Sequence, residues 1–304
     1  MKPFRRTNLL LCAALLVWFL ADAANVRQAA FDALKLCAAS VIPALFPFLV
    51  VTGLLISLGF GAWASPTLAP LMSLYRLPGT AGSALLLGFL GGYPVGARTA
   101  ADLYRLGLLT KNETERLLTF CNNANPAFLL SVLGVGVFHS TRAGVWLLLI
   151  HILSALLTGL IFRGRDAART APPDVPTLSD TPSGFFPAFV DAVGNAASAM
   201  LRVCAFVVFF SVLVRPLRTW NHPAAAPCVG LLELFSLTSM LTPDARGFVL
   251  ASLCAGWGGV SALAQTAAVL QHTGLSVRPC LRGKAAQALL SGLLAAAVCT
   301  KISL

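Results

Sequence analysis

Charged side chains are scarce in this chain: Asp, Glu, Lys and Arg make up only 11% of its 304 residues. A soluble domain carries about 25% charged residues, so this chain has too little polar surface to cover a water-soluble body. Since a helical crossing needs roughly 20 apolar residues, and helices satisfy their own backbone groups in lipid, we predict an all-α, polytopic protein of the cell membrane with about seven or eight embedded segments. The longest stretches without any charged residue are 36–75, 77–97, 117–141, 143–162, 247–277 and 285–300.

Signatures of catalysis and of metal binding are missing as well. The eight cysteines form no closely spaced pair, which argues against a C-x-x-C framework and favours cysteine as a small packed residue. The four histidines show no metal-ligand spacing. No H-E-x-x-H, G-x-S-x-G or P-loop motif occurs. We therefore expect no enzyme activity and no cofactor, and an intramembrane enzyme is the weakest class.

Acidic residues are half as common as basic ones, with 11 Asp and Glu against 22 Lys and Arg. Positive residues collect in cytoplasmic loops and contact anionic lipid, so membrane lipid is an expected partner. Nucleic-acid binding needs clustered basic residues with stacking aromatics. The chain has neither feature, and we expect no nucleic-acid partner.

One linker divides the chain into two halves. Residues 163–184 contain three arginines and four prolines with scattered Asp and Ser, a composition that neither spans nor packs. Its arginines favour the cytoplasmic side. The first apolar run ends near Ala21 and Ala23, so a cleaved signal peptide is the alternative to an uncleaved first helix. The expected parts are an N-terminal transmembrane helix at 1–24, a first half at 25–162, a cytoplasmic linker at 163–184 and a second half at 185–304.

The two halves share a weak internal repeat. An offset of 167 aligns Gly91 with Gly258 and gives nine identities over the eighteen positions that end at Leu108. Each half also has an upstream apolar hairpin candidate, 41–55 in the first and 199–213 in the second. Two related halves with broken or re-entrant helices around a midplane site are typical of secondary transporters. An inverted relation between the halves is a hypothesis.

The motif Gly88-Phe-Leu-Gly-Gly-Tyr-Pro-Val-Gly96 interrupts an apolar stretch and lets the backbone leave helical geometry. A helix that restarts near Val95 would point free amide groups into the membrane, where they can hold an anion. Arg98 lies in its first turn, with Asp102 one turn later. A glycine-mediated helix contact with a surface Arg98–Asp102 pair is the alternative. The predicted solute-site residues here are Gly91, Gly92, Tyr93, Pro94, Gly96 and Arg98.

Three asparagines, Asn122, Asn123 and Asn125, lie between two apolar runs and precede Pro126. Amides offer donors and acceptors without the cost of burying a charge. We predict that these side chains form a ligand-binding corner at a broken helix. An ordinary Asn-Pro turn in a short loop is the alternative.

The second half offers a matching set of polar residues. Gly258 and Gly259 lead to Ser261 and Gln265, which are four residues apart and share a helix face. We predict that all four take part in the solute site. Glu233 is the only acidic residue within 229–241, so it is a candidate for coupling transport to a cation or proton, or for capping a helix end.

Two of these motifs carry a resemblance to a known family. The segments Gly91-Gly-Tyr-Pro-Val-Gly-Ala97 and Cys121-Asn-Asn-Ala-Asn-Pro126 resemble those of the YlbJ-type sporulation integral membrane proteins, within the nucleoside-recognition Gate superfamily. The resemblance extends from about Phe31 to the C-terminus, on the basis of these two motifs. The remaining elements that resemble the family are Ser40–Leu55, Glu233 in Leu-Leu-Glu-Leu, and Gly258-Gly-Val-Ser261 with Gln265.

The resemblance implies two repeat-related Gate halves and a fold related to concentrative nucleoside transporters. It also implies a role in endospore formation, in which the protein moves a small solute, dipicolinate above all, across a membrane surrounding the developing spore. A nucleoside is the competing substrate class, and a non-transporting scaffold or assembly factor is the competing function. The implied partners are a small-molecule solute and, beyond it, a second copy of the chain or other sporulation membrane proteins.

Overall fold

The computed structural model describes residues 3–164 and 184–299, and within these ranges the chain is helical without a single strand. Large apolar side chains such as Leu201 and Leu293 are exposed on its outside, and a lipid bilayer supplies the apolar surroundings that they need. The prediction of an all-α, multi-pass membrane protein is confirmed. The helices long and apolar enough to cross a membrane are Ala23–Ser57, Thr141–Ile161, Phe185–Arg218 and Ala245–Leu270.

The first half contains both long and short helices. A π-helical segment, Cys37–Val41, joins α2 to α3, and a second one, Phe128–Val137, precedes α8. The helices are α1 (Pro3–Ala21), α2 (Ala23–Leu36), α3 (Ile42–Ser57), α4 (Phe60–Leu74), α5 (Ala81–Gly91), α6 (Val95–Arg105), α7 (Lys111–Leu117) and α8 (Thr141–Ile161).

The second half begins with the longest helix of the described chain, of 34 residues. A short 3-10 helix, Thr238–Met240, follows α11. The helices are α9 (Phe185–Arg218), α10 (Ala225–Leu232), α11 (Leu234–Leu237), α12 (Ala245–Trp257), α13 (Gly259–Leu270) and α14 (Arg278–Val298).

The prediction of two upstream hairpins, at 41–55 and 199–213, is wrong. Residues 41–55 lie in the continuous helical run Ala23–Ser57, without a reversal of the chain. Pro43 and Pro47 are both accommodated inside this run, Pro43 shortly after the π-helical segment Cys37–Val41. Residues 199–213 likewise lie within α9.

Short helix pairs occur elsewhere in each half. Helices α5 and α6 have 11 residues each, or about 16 Å at 1.5 Å per residue, which is half of a roughly 30 Å hydrocarbon core. They turn at residues 92–94 and pack against each other. Helices α10 and α11 also pack together, on either side of Glu233. The predicted repeat relates the α5–α6 turn to the turn between Ala245–Trp257 and Gly259–Leu270, and this relation stays a prediction.

The chain passes between two apolar cores at residues 118–127. Phe120 and Cys121 belong to one core, which contains α4 to α7. Ala124 and Ala127 belong to the other, which contains the second π-helical segment and α12. The predicted site residues Asn122, Asn123 and Asn125 lie at this passage.

The predicted division of the chain into an N-terminal helix, two halves and a linker stays a prediction. Helix α1 ends at Ala21, close to the expected limit of the first segment. Most of the linker predicted at 163–184, namely 165–183, lies outside the described residues. The cytoplasmic position of the linker therefore stays a prediction.

Candidate functional site

The first helix interruption occupies residues 118–127, between α7 and the second π-helical segment. Helix α7 begins with a capping box, in which the Thr110 hydroxyl accepts from the Glu113 amide and the Glu113 carboxylate accepts from the Thr110 amide. The break begins directly after α7, where three asparagines offer alternative partners to the backbone. Pro126 lies at its other end, where the next helical segment begins and a missing N–H costs little.

The asparagine side chains hold this interruption together. Asn122 donates from Nδ2 to Thr266 Oγ1 at 2.6 Å, which ties the break to α13. Asn123 donates to the Phe120 carbonyl oxygen at 2.8 Å. The Asn125 Oδ1 accepts from the Ala127 amide at 2.7 Å, and its Nδ2 donates to the Leu90 carbonyl oxygen at 3.2 Å. These bonds satisfy backbone groups that the helix leaves open.

Three glycines let neighbouring helices approach the interruption closely. A Cβ placed on Gly88 or Gly96 would clash with the carbonyl oxygen of Cys121. A Cβ placed on Gly283, in α14, would clash with the carbonyl oxygen of Thr119. The broken backbone is therefore clamped between the α5–α6 pair and α14.

The turn between α5 and α6 has the open backbone predicted for Gly91–Gly96. Gly92 adopts φ +73°, which favours glycine, and a Cβ there would press against Asn125. Tyr93 follows, and its buried hydroxyl oxygen packs against Gly258 of the second half. The turn therefore brings the two predicted motifs into contact.

The second helix interruption is sharper than the first. Gly258 and Gly259 have φ values of +87° and +84°, and one helix ends and the next begins there without an intervening loop. Trp257 donates from Nε1 to the Leu231 carbonyl oxygen at 2.9 Å, which fixes this corner against α10.

Glu233 caps helix α11. Its carboxylate accepts from the Phe235 amide at 3.0 Å and from the Ser236 amide, and the side chain is 1% exposed. A carboxylate at a helix N-terminus is favoured by the amide dipoles there. Glu233 therefore has the helix-capping role that was one of its two predicted roles. It also lines the cavity between the two helix interruptions.

A central cavity lies between the two interruptions. Six of the predicted site residues line it from both halves of the chain, alongside the aromatic rings of Phe128 and Phe235. Hydroxyl, amide and carboxylate groups converge on one space there, which is the arrangement of a small-molecule site. The six are Tyr93, Asn125, Glu233, Gly258, Ser261 and Gln265.

An arginine cavity adjoins the central cavity. Arg98, Arg105 and Arg202 line it, and it shares Tyr93 and Gln265 with the central cavity. Pro94 is also in its wall. The surface pair suggested for Arg98 and Asp102 does not form, because Asp102 pairs with Arg105 at 2.9 Å.

Arg202 was not among the predicted site residues, although it lies in the middle of α9. Its Nε donates to the Ser198 carbonyl oxygen at 3.3 Å, within the same helix. An arginine halfway along a spanning helix is costly and is usually functional. The position of Arg202 inside a long apolar run was the feature of the sequence that could have identified it as a site residue.

The other predicted residues lie beside the cavities rather than in their walls. Gly91, Gly92 and Gly96 shape the backbone of the α5–α6 turn, and Gly259 begins α13. Asn122 and Asn123 point into a buried polar network instead of a cavity.

The buried polar network contains residues that the sequence prediction missed. Lys284 donates to the Asn122 carbonyl oxygen at 2.8 Å and to Gln287 Oε1 at 2.6 Å. Gln287 donates onward to Asn123 Oδ1 at 3.0 Å, and His151 Nε2 accepts from the Ala124 amide at 3.1 Å. The signal was a polar stripe on α14, in which Lys284, Gln287 and Ser291 recur at helical spacing.

The fold defines a multi-pass helical membrane protein, and the two adjoining cavities are its candidate small-molecule site. Residues 38–142 match the model of the Gate family, described as nucleoside recognition. The chain is also 28% identical to the sporulation integral membrane protein YlbJ of Bacillus subtilis (strain 168), over 90% of this chain and 78% of that protein. No solved structure matches the chain.

These comparisons confirm the resemblance predicted from the sequence. The Gate match covers the α5–α6 turn and the asparagines of the first interruption. Glu233, Gly258, Ser261 and Gln265 lie beyond the Gate match and within the second half.

Proposed function

We propose that this protein is a Gate-type transporter that moves a small anionic solute, such as dipicolinate, across a membrane during endospore formation. The observation that carries the proposal is the central cavity, where two helix interruptions from different halves of the chain meet. Broken helices around a shared site are the usual construction of secondary transporters.

The anionic character of the solute rests on the arginine cavity. Arg98 lies in the first turns of α6, whose amide groups also favour an anion. Arg202 lies in the wall of the same cavity. Because Tyr93 and Gln265 belong to both cavities, a solute held by the arginines is already beside the central cavity.

The biological setting comes from the relative. YlbJ is named as a sporulation integral membrane protein, and similarity along 90% of this chain supports a role in the same process. We place the protein in a membrane that surrounds the developing spore. Assembly with a second copy or with other sporulation membrane proteins is part of this proposal.

Glu233 is the proposed coupling residue. It is the acidic side chain in the wall of the central cavity, and its oxygens are held by backbone amides. A carboxylate at this place can respond to a cation or proton that enters with the solute.

A nucleoside is the second candidate solute, and the central cavity itself favours it. Aromatic rings of Tyr93, Phe128 and Phe235 line the cavity together with the amides of Asn125 and Gln265. Rings can stack on a nucleobase, and amides can pair with its polar edge. The same residues would then serve a neutral solute.

Flux into proteoliposomes tests the proposal. We expect purified protein to admit dipicolinate faster than uridine, and Arg98→Ala to lower dipicolinate flux by about tenfold, since a charge-assisted contact is lost. Arg142→Ala is the matched control, because Arg142 is an exposed arginine that does not line either cavity.

The possible outcomes separate the candidates. Faster uridine flux that is insensitive to Arg98→Ala supports the nucleoside. No flux of either solute in folded protein, with ion gradients imposed in both directions, refutes transport and supports a scaffold or assembly factor.

A further inference from the structure

The side chain of Lys284 is completely enclosed by protein. Its exposed fraction is 0%, in the first half of α14. Its ammonium donates to the Asn122 carbonyl oxygen and to Gln287 Oε1 and lies 5.1 Å from the centre of the Tyr93 ring. An ammonium has three N–H groups, and two oxygens and one aromatic face account for them.

These partners satisfy the hydrogen bonds of Lys284 but do not balance its charge. The two acceptors are neutral oxygens, and the ring supplies only a quadrupole. Within residues 3–164 and 184–299, Lys284 takes part in no ion pair. A buried cation without a counter-charge is costly, and its field extends further in protein than in water.

Tyr93 connects this charge to the proposed solute path. One face of its ring contacts the Lys284 ammonium, and the same side chain lines both the central cavity and the arginine cavity. Tyr93 is therefore the side chain that both contacts Lys284 and lies in the walls of the two cavities.

The charged side chains that line the two cavities include more unpaired positive groups than negative ones. Arg98 and Arg202 line the arginine cavity, where the third arginine is paired with Asp102. Glu233 supplies the negative charge of the central cavity, and its oxygens are already engaged by amides at the start of α11. Lys284 adds its charge to the arginines.

We infer that Lys284 is a specificity-determining residue, whose buried ammonium makes the adjoining cavities prefer an anionic solute. The inference rests on the proposed function and names a further residue that selects the charge of its solute. Lys284 does not contact the solute; it acts through the Tyr93 ring and through the electric field. The solute supplies the counter-charge that the described protein does not place beside Lys284.

Three variants separate the charge of Lys284 from its structural role. Lys284→Met removes the charge and keeps the length of the side chain. Gln287→Glu places a carboxylate where Oε1 already lies, 2.6 Å from the ammonium, and so cancels the charge. Gln287→Leu removes the polar contacts of Gln287 but leaves Lys284 in place, and it serves as the control at mildly acidic pH, where the amine stays protonated.

Equilibrium binding to purified protein in detergent is the measurement. The probes are dipicolinate and pyridine-2,6-dicarboxamide, which have the same ring and similar shape but different charge. We expect Lys284→Met and Gln287→Glu each to lower the ratio of dipicolinate affinity to diamide affinity by about tenfold or more. Gln287→Leu should change that ratio by less than about twofold, even where it weakens both affinities.

Both affinities are measured on the same preparation of each variant. Their ratio therefore does not depend on the fraction of the protein that is folded. An unchanged ratio in Gln287→Glu overturns the inference, as does an equal loss in Gln287→Leu. Failure of wild-type protein to bind dipicolinate more tightly than the diamide overturns it too. Binding with the expected ratios but without flux in proteoliposomes counts against transport alone and leaves the role of Lys284 standing.

Discussion

The two helix interruptions at the centre of this protein are built differently. The first spans residues 118–127 and is held by asparagine side chains and by Lys284. The second is a corner of two glycines with positive φ, and no side chain of its own is needed to shape it. One break depends on hydrogen bonds and close packing, and the other depends on the backbone freedom of glycine.

This difference determines which substitutions each break tolerates. The first break is clamped by glycines on other helices, so its weak points are Gly88, Gly96 and Gly283. The weak point of the second break is Gly258 itself, which combines a positive φ with a close approach to Tyr93. Both features lie where the solute path is proposed.

Gly96→Ala should have the largest effect on stability. Its Cβ would clash with the Cys121 carbonyl oxygen, and backbone atoms cannot move aside as a side-chain tip can, so we expect a loss of about 3 kcal/mol or more. Thermal unfolding in detergent, followed by size-exclusion chromatography, measures it.

Gly194→Ala is the matched control for that variant. Gly194 lies in α9 with no atom within 4 Å of an added Cβ, so alanine should be neutral or stabilising by up to about 1 kcal/mol. Equal unfolding temperatures for the two variants would contradict the clamp around the first break.

Gly258→Ala should have the second largest effect. The variant suffers both from its φ of +87° and from contact with the Tyr93 hydroxyl. Gly274→Ala isolates the first cause, because Gly274 has φ +74° and nothing within 4 Å. We expect about 1 kcal/mol for Gly274→Ala and at least about 1 kcal/mol more for Gly258→Ala, measured by thermal unfolding.

Tyr93→Phe provides a second check on the crowding at Gly258. Added to Gly258→Ala, it removes the nearest clashing atom and should recover part of the lost stability. No recovery would mean that the backbone conformation alone accounts for the loss.

Both interruptions could be located from the sequence, because glycine, proline and asparagine act through local backbone chemistry. The restart of the helix near Val95 was also predicted and is confirmed, and that helix ends before Gly107, which has φ +72°. The 167-residue offset aligned two turns that lead into helices, α6 and α13, which pack side by side. A repeat between the halves stays a prediction.

The residues that were missed depend on long-range packing. Lys284 follows Arg278 and Arg282, so local sequence suggests the charged start of a helix rather than a buried cation. Its partner Asn122 lies 162 positions away in the chain. The predictions of hairpins at 41–55 and 199–213 failed for a related reason, since tertiary packing keeps both apolar runs helical, including Pro43 and Pro47 in the first.

The hydrogen bond that joins the two broken helices should contribute less than the glycine contacts. Thr266→Val removes the acceptor of the Asn122 amide, 2.6 Å away, and leaves that buried donor without this partner, at a cost of about 1 to 2 kcal/mol. Thr99→Val is the control, because Thr99 and Thr266 both donate to a carbonyl four residues earlier.

The difference in unfolding temperature between these two threonine variants isolates the bond to Asn122. A double-mutant cycle with Asn122→Ala then gives the coupling between the two side chains. Additive losses would show that the two interruptions are not energetically linked through this bond.

The smallest expected effect is a pH dependence at the start of the second broken helix. Asp244, which precedes the membrane-spanning segment Ala245–Leu270, accepts from the Gly247 amide at 2.7 Å and from the Thr242 hydroxyl at 2.9 Å. The amide of Gly247 lowers the pKa of Asp244 most, and the Thr242 hydroxyl adds to it. Stability from this cap is therefore complete above the ordinary Asp pKa of about 3.9 and is lost as pH falls through the lowered pKa.

Asp244→Asn keeps a capping side chain but removes the titrating group. We expect the unfolding temperature of wild-type protein to fall more steeply than that of the variant as pH falls from about 4 to about 2, with the two curves converging at the acidic end. Parallel curves would mean that the cap does not contribute to stability. In that case the N-terminal end of α12, at Asp244, would add nothing to stability. The glycine corner at its C-terminal end, at Gly258, would then be the end of α12 on which stability depends.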